Sequence, residues 1–138
     1  YRALKDIDVT LICSGEGELN IPVQKLKLSF KEYLCLLKAS SLVLTLSRFK
    51  EGWNRVAHEA LLVGTPVVGS GAGGMLELLS NTHQTIYSKS DAKDLRDIVE
   101  QKLKNDRMPV PLSAKEYVES FGFSEFEKKW LEVVENGK

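Results

Sequence analysis

The chain has 138 residues, the usual length of one domain, of which 43% are hydrophobic and 28% charged. Nineteen Lys and Arg residues balance nineteen Asp and Glu residues, which argues against a nucleic-acid partner, since such a partner selects an excess of positive charge. No apolar run approaches the roughly 20 residues of a membrane-spanning helix, and two cysteines cannot build a disulfide scaffold or a four-thiolate zinc site. We expect a cytoplasmic domain with no metal site and, because Tyr1 is not an initiator Met, a piece of a longer protein.

The amino-terminal part of the chain predicts two strands and a helix. Residues 7–13 are apolar and β-branched and end at a glycine turn over 14–17, which is typical of a buried strand followed by a loop. Residues 23–28 alternate in polarity and predict a shorter strand. Ser29 and Glu32 have the spacing of a capping box and predict a helix start. The apolar positions of that helix recur at helical spacing: Phe30, Tyr33, Leu34 and Leu37.

The remaining chain alternates between strand and helix patterns. We predict strands over 42–46, 67–68 and 84–87 and helices over 53–64, 75–80, 91–104 and 124–135. The last of these helices starts at a second capping box, Ser124 with Glu127. The helix over 53–64 has one packed face, formed by Trp53, Val56, Ala57, Ala60 and Leu61. This alternation predicts one Rossmann-like α/β domain over residues 1–138, with a parallel sheet between two layers of helices. Ligands of such sheets bind beyond the carboxyl ends of the strands. The loops expected to carry a site are therefore 14–17, 46–52, 69–74 and 88–91.

The segment 51–59 is the most informative, because it joins the carboxyl end of a strand to the start of a helix. The backbone N–H groups at a helix start favour an anion, and a glycine there lets a ligand approach the backbone. Those N–H groups belong to Gly52, Trp53, Asn54 and Arg55. The carboxylates of Glu51 and Glu59 accept hydrogen bonds only, which suits vicinal hydroxyls on a sugar or ribose. The alternative is that Glu51 complements the helix dipole and Glu59 is a solvated surface residue.

The span 42–79 resembles the donor-binding half of retaining glycosyltransferases of family 4, the "group 1" enzymes with the GT-B fold. The resemblance rests on Glu51 and Glu59 eight residues apart, on the strand 64–68 and on the double glycine within 73–77. It implies that Glu51 contacts the donor sugar as the catalytic residue and that Glu59 holds the nucleotide ribose. The donor-site residues it implies are Gly15, Ser47, Glu51, Gly52, Trp53, Asn54, Arg55 and Glu59, with Gly73, Gly74 and Glu77 as further candidates.

The resemblance also implies an activity: hexosyl transfer from a UDP- or GDP-linked sugar, with retained anomeric configuration and without metal or cofactor. The expected partner is an amino-terminal GT-B domain, which would bind the acceptor. Candidate acceptors are a lipid or a glycan at the inner face of a membrane. We expect the chain to lack that domain, the family's first strand and a basic pair that grips the diphosphate, and so to be inactive alone. Asn54 replaces a glycine usual in the family, and Leu46 a proline.

Three alternative functions are left open. Residues 69–74 match G-x-G-x-x-G, and Asp91 lies about 20 residues further on, as an NAD(P)-dependent oxidoreductase would have it. A non-catalytic nucleotide-binding module and a GT-B nucleotide-sugar epimerase are the others. Cys13 and Cys35 are expected to be small core residues. A stripe near the carboxyl end is expected to pack in the core or against another domain: Phe126, Trp130, Val133 and Val134.

Overall fold

The computed structural model describes residues 1–47, 49–50, 52–87, 91–104 and 109–136. Glu51, the expected catalytic residue, lies outside these ranges, as do residues 88–90 of the loop 88–91. In chain order the elements are β1 (Ile12–Ser14), β2 (Gln24–Leu26), α1 (Phe30–Ala39), β3 (Val43–Thr45), α2 (Arg55–Leu62), β4 (Val67–Gly69), α3 (Gly74–Asn81), β5 (Thr85–Ile86), α4 (Ala92–Lys104), α5 (Leu112–Glu119) and α6 (Phe123–Asn136).

All strand pairs of the described chain are parallel, as predicted. β1 and β2 form a first sheet, and β3, β4 and β5 form a second sheet in that order. Because α2 connects β3 to β4 and α3 connects β4 to β5, the second sheet consists of two βαβ units. Such units place the carboxyl ends of their strands along one edge. The α/β class with parallel strands and flanking helices is therefore confirmed.

The core is divided by the second sheet. Val43 and Val67 point into one cluster, which they share with α1, α2, α3 and α5. Leu44 and Val68, their neighbours along the strands, point into the other cluster, with Leu95 and further residues of α4. Successive strand residues face opposite sides of a sheet, so this division means that helices cover both faces. The predicted three layers are present around β3–β5.

The first strand differs from the prediction. β1 begins at Ile12 instead of residue 7, and its three residues are exposed, half-buried and exposed in turn. Leu4 is a buried member of the α4 cluster, and Ile7 and Leu11 pack against that cluster, but none of the three lies in a strand. β1 pairs only with β2 among the described strands. The sequence predicted a long buried strand because residues 7–13 are apolar and β-branched. Burial of a strand also depends on which elements pack against it, and the residue types of the strand alone do not determine that packing.

The carboxyl-terminal helices also correct the sequence analysis. α5 was not predicted, although Ala114 and Val118 are buried at helical spacing. α6 was predicted from a capping box at Ser124, but it begins at Phe123, and the Phe126 N–H already donates to the Gly122 carbonyl at 3.1 Å. The capping-box prediction is therefore wrong for this helix.

The predicted apolar stripe of α6 does not pack into the core of the described chain. All four side chains are exposed: Phe126, Trp130, Val133 and Val134. Within the described residues, no helix is long and apolar enough to cross a bilayer.

The two cysteines are not core residues. Cys13 is half-buried and Cys35 is exposed. Cys35 lies two residues before Leu37, which is the buried residue of α1. Two residues correspond to about 200° of rotation around a helix, so the two side chains lie on opposite faces.

Candidate functional site

The start of α2 is fixed by Asn54. Its side-chain oxygen accepts the Ala57 N–H at 2.8 Å, which makes Asn54 the N-cap of the helix. α2 therefore starts at Arg55 instead of near Trp53. The departure from glycine at this position has a local reason, since asparagine is among the best N-cap residues. Because α2 follows β3, its start lies at the carboxyl edge of the second sheet. The positive end of the helix dipole lies at the same edge.

Two glycine loops meet at this edge. A Cβ atom added to Gly74 would collide with the backbone carbonyl of Gly52, so no side chain can occupy that position without moving the loop. Gly73 has a φ of 65°, in the left-handed region that favours glycine, and it precedes the first residue of α3. The structure thus brings the double glycine against the segment that precedes α2. Gly73 is therefore needed for its left-handed backbone conformation, and Gly74 for its close contact with the Gly52 carbonyl.

Glu59 is held from two sides. The Tyr33 hydroxyl donates to its Oε2 at 2.8 Å, and Arg55 Nε lies 3.3 Å from its Oε1. The side chain of Glu59 is only 13% exposed, whereas that of Arg55 is 82% exposed. Glu59 is therefore not the solvated surface residue of the alternative interpretation. It is a nearly buried carboxylate one helical turn from the start of α2.

Trp53 belongs to an aromatic cluster that ties the α2 entry to the carboxyl-terminal helices. Its indole N–H donates to His58 Nδ1 at 2.7 Å, and its ring lies 4.5 Å from that of Phe121, centroid to centroid. Burial lowers the pKa of His58, although a hydrogen bond to the Val118 backbone opposes that shift. Only the neutral imidazole can accept a hydrogen bond at Nδ1. Burial and the hydrogen bond from Trp53 therefore both favour neutral His58.

Trp53 and Val56 were expected on the packed face of α2, but both are exposed, while Ala57, Ala60 and Leu61 are buried. Trp53 precedes the N-cap and so does not follow the rotation of the helix. This explains why its ring lies on Phe121 instead of in the core.

A cavity of about 1050 Å³ separates the two sheets. Residues 8–16 line one wall and residues 41–44 line the other. Gly15, Tyr33 and Arg55 line the same cavity, so the glycine turn after β1 and the α2 start face one space. The sequence placed Gly15 and Arg55 in one site, and the structure brings them to one cavity. Two of the residues that line it, Tyr33 and Arg55, are those that hold Glu59.

The other candidates have local partners. Ser47 Oγ accepts the Phe49 N–H at 3.2 Å, as in a serine turn. The Tyr117 hydroxyl lies 3.5 Å from Glu77 Oε1, a contact between α5 and α3, and burial followed by the Glu77 charge raises the pKa of Tyr117. Asp91 Oδ1 accepts the Lys93 N–H at 2.9 Å and so caps α4. The proposed dinucleotide ligand Asp91 thus has a structural role.

Sequence reasoning missed Tyr33 and His58 as parts of this region. Tyr33 was placed on the apolar face of α1, and the signal that could have drawn attention to it is its hydroxyl, which needs a partner when the ring is buried. The sequence indicated no partner for His58. Its partner Trp53 lies five residues before it, a spacing that becomes meaningful only because Asn54 starts the helix between them.

Comparison with known proteins adds a family and a fold. A family model described as "Glycosyl transferases group 1" matches residues 8–120. No curated protein matches the chain.

Among solved structures, Anabaena Alr3699/HepE in complex with UDP-glucose superposes with a TM-score of 0.70 at 23% identity and covers 86% of this chain. The complex of the same protein with UDP gives a TM-score of 0.69 at 22% identity over 83% of this chain. The complex with UDP and glucose gives 0.69 at 23% identity over 83%. The chain spans only about a third of those proteins, 32–33% of their length.

Proposed function

Since the chain belongs to the group 1 glycosyl transferases, we propose that it binds a nucleoside diphosphate sugar for transfer of the sugar to an acceptor. The observation that carries the proposal is the Glu59 carboxylate, which is 13% exposed and is held by Tyr33 and Arg55, two residues that line the cavity between the sheets. A carboxylate that accepts hydrogen bonds and is fixed in place suits the two hydroxyls of a ribose. That the neighbours are complexes with UDP and UDP-glucose supports this assignment.

The diphosphate is proposed to lie at the start of α2. The N-terminal N–H groups of a helix and its dipole attract an anion, and the close approach of Gly74 to the Gly52 carbonyl leaves no room for a side chain at Gly74. When the bond between sugar and diphosphate breaks, negative charge grows on the departing diphosphate. Groups already oriented toward that charge stabilise the transition state more than the ground state. Glu51, which precedes Gly52, is proposed as the residue that contacts the transferred sugar.

The finer features of the reaction belong to the same proposal and rest on the resemblance to family 4. They are a hexose donor linked to UDP or GDP, retention of the anomeric configuration, and transfer without a metal ion or cofactor. We further propose a cytoplasmic reaction at the inner membrane face, with a lipid or glycan acceptor.

The proposed parent enzyme also has an amino-terminal domain and one more strand in this domain. The cavity between the sheets supports the proposal of an additional strand. If that strand lay between β1 and β3, the strand order would be β2, β1, the additional strand, β3, β4 and β5. With the additional strand counted first, this is the doubly wound order 3-2-1-4-5-6. Without the acceptor domain, positioning of donor and acceptor contributes nothing to the rate. We therefore expect no sugar transfer by this chain alone in an assay with candidate acceptors, and measurable transfer would contradict this part of the proposal.

Chemical-shift mapping of the labelled chain tests the ligand class. UDP or GDP should shift the amide signals of residues 52–55 and of Glu59, and NAD should shift few signals. The Glu59→Gln variant should lose most of the UDP response. A matched control is Glu100→Gln, because Glu100 pairs with Arg96 at the same i,i+4 spacing on α4. Strong NAD shifts at residues 69–74 and Asp91 would instead support the oxidoreductase.

A further inference from the structure

Tyr33 contacts the candidate site from another helix. It lies on α1, 26 residues before Glu59, and its hydroxyl donates to Glu59 Oε2 at 2.8 Å. Burial raises the pKa of Tyr33 above its usual value, and the Glu59 hydrogen bond and charge raise it further. The phenol therefore remains a protonated donor throughout the physiological range of pH.

We infer that Tyr33 is a positioning residue that fixes the Glu59 carboxylate in the orientation that accepts the ribose hydroxyls of the nucleotide. The inference rests on the proposed function, and it concerns a residue that the motif of residues 51–59 does not contain. Tyr33 acts through Glu59 and is not itself a ligand of the ribose.

The two partners of Glu59 are not equivalent. Arg55 is 82% exposed, so water screens its ion pair with Glu59 at 3.3 Å. The arginine side chain is also long and flexible, so it restrains the carboxylate weakly. Tyr33 packs against the core cluster of α1 and α2, and a phenol has only two side-chain torsions to restrain. The hydroxyl is thus the rigid contact. It determines the position of Oε2, and the planar carboxylate then determines the position of Oε1.

The carboxylate keeps capacity for a ligand. An ionised carboxylate offers about four acceptor sites, and Tyr33 and Arg55 each use one. Each oxygen therefore retains an acceptor site, and two adjacent oxygens match a vicinal diol. Without the Tyr33 hydroxyl, the Glu59 carboxylate would keep these acceptor sites but could rotate. Binding of the ribose would then also have to immobilise the Glu59 side chain.

The test measures affinity for two probes, UDP and 2′,3′-dideoxy-UDP, by calorimetric titration. The wild-type chain should prefer UDP, and Glu59→Gln should abolish the preference. Tyr33→Phe should reduce UDP affinity by up to about tenfold, the loss expected when binding must also immobilise one side chain, and leave the affinity for the dideoxy probe unchanged. The double variant should show no loss beyond that of Glu59→Gln.

A matched control is Tyr87→Phe, which removes a hydroxyl that donates to the backbone oxygen of Asp91 at 2.6 Å. It should leave both affinities unchanged. Thermal unfolding of each variant reports whether the fold is intact. In the wild-type chain the ring signals of Tyr33 should shift with UDP and not with the dideoxy probe, a measurement that needs no variant.

The outcomes separate the two claims. If Glu59→Gln abolishes the preference and Tyr33→Phe does not reduce it, Tyr33 only ties α1 to α2 and the inference is wrong. If both probes bind wild type equally, or neither binds, the proposed ribose contact fails and the inference fails with it. If Tyr33→Phe weakens both probes equally, the effect is general destabilisation, which also overturns the inference.

Discussion

The two sheets differ in how they are covered. In the second sheet, all three residues of β4 are buried, because helices lie on both faces. In the first sheet, β1 is exposed at two of its three residues and β2 at two of three. The same kind of parallel pairing therefore gives one half that helices cover on both faces and one half that is largely exposed. The candidate site lies where the two halves meet, with Glu59 held by Tyr33 on the covered side and Gly15 on the exposed side.

The largest expected difference between the halves is in core substitutions. Leu61→Ala, at a fully buried position of α2, should reduce the free energy of unfolding by about 2–5 kcal/mol. Ile12→Ala, at a 40% exposed position of β1, should reduce it by less than about 1 kcal/mol. Denaturant unfolding of both variants gives the values. Equal losses would show that the first sheet shares the core after all.

Substitution of the two acids should separate their roles in an assembly that contains the acceptor domain. Glu59→Gln should weaken nucleoside diphosphate binding by about 1.5–3 kcal/mol, the value of a hydrogen bond to a charged group. Glu51→Gln should lower turnover and leave nucleoside diphosphate binding near normal, since its proposed partner is the sugar. Titration and steady-state kinetics measure the two effects. Equal losses of nucleotide affinity would refute the division of roles.

Contact between the two glycine loops should be sensitive to a single methyl group. Gly74→Ala introduces a Cβ against the Gly52 carbonyl, and we expect a loss of about 1–3 kcal/mol in the free energy of unfolding, with weaker UDP binding. Gly122→Ala is the control, because its Cβ would lie 3.7 Å from the Glu119 carbonyl, an ordinary contact. If both variants behave alike, the two loops do not depend on each other.

The smallest effect should be a pH dependence of stability from His58. Burial lowers its folded-state pKa below the usual value near 6.5. The unfolded chain therefore binds the proton first, and stability should fall as the pH drops below about 6.5 and level off below the folded pKa. Melting temperatures between pH 4.5 and 8 test this, in steps of about half a unit. His58→Gln should flatten the curve relative to His83→Gln, and an unchanged curve would rule out the effect.

The sequence predicted those parts of the fold that depend on local patterns. The capping box at Ser29 is confirmed, since its backbone N–H donates to Glu32 Oε2 at 2.8 Å and its hydroxyl accepts the Glu32 N–H at 3.4 Å. The same pattern at Ser124 is misleading, because the helix begins one residue earlier. An N-cap residue must have a non-helical backbone conformation. The four residues of a capping-box motif do not by themselves determine where the backbone changes to that conformation.

The candidate site was predictable only where the motif is continuous in sequence. The segment 51–59 indicated the α2 start and Glu59. Contacts between distant segments were not predictable: Tyr33 reaches Glu59 across 26 residues, and Gly74 meets Gly52 across a strand and a helix. Such contacts depend on how helices pack, which residue identity and spacing constrain weakly. The role of Glu51 remains a prediction, because it lies outside the described residues.

The edges of β1 and β3 that face the cavity have a consequence for the behaviour of this 138-residue chain on its own in solution. Neither edge pairs with another strand of the described chain, so each presents backbone donors and acceptors in a row. Such edges are templates for pairing with another molecule, and the exposed β1 is the less protected of the two. We therefore expect concentrated samples of this chain alone to self-associate by strand addition, whereas the additional strand of the proposed parent enzyme would cover both edges. A short apolar peptide that occupies the cavity should suppress this aggregation.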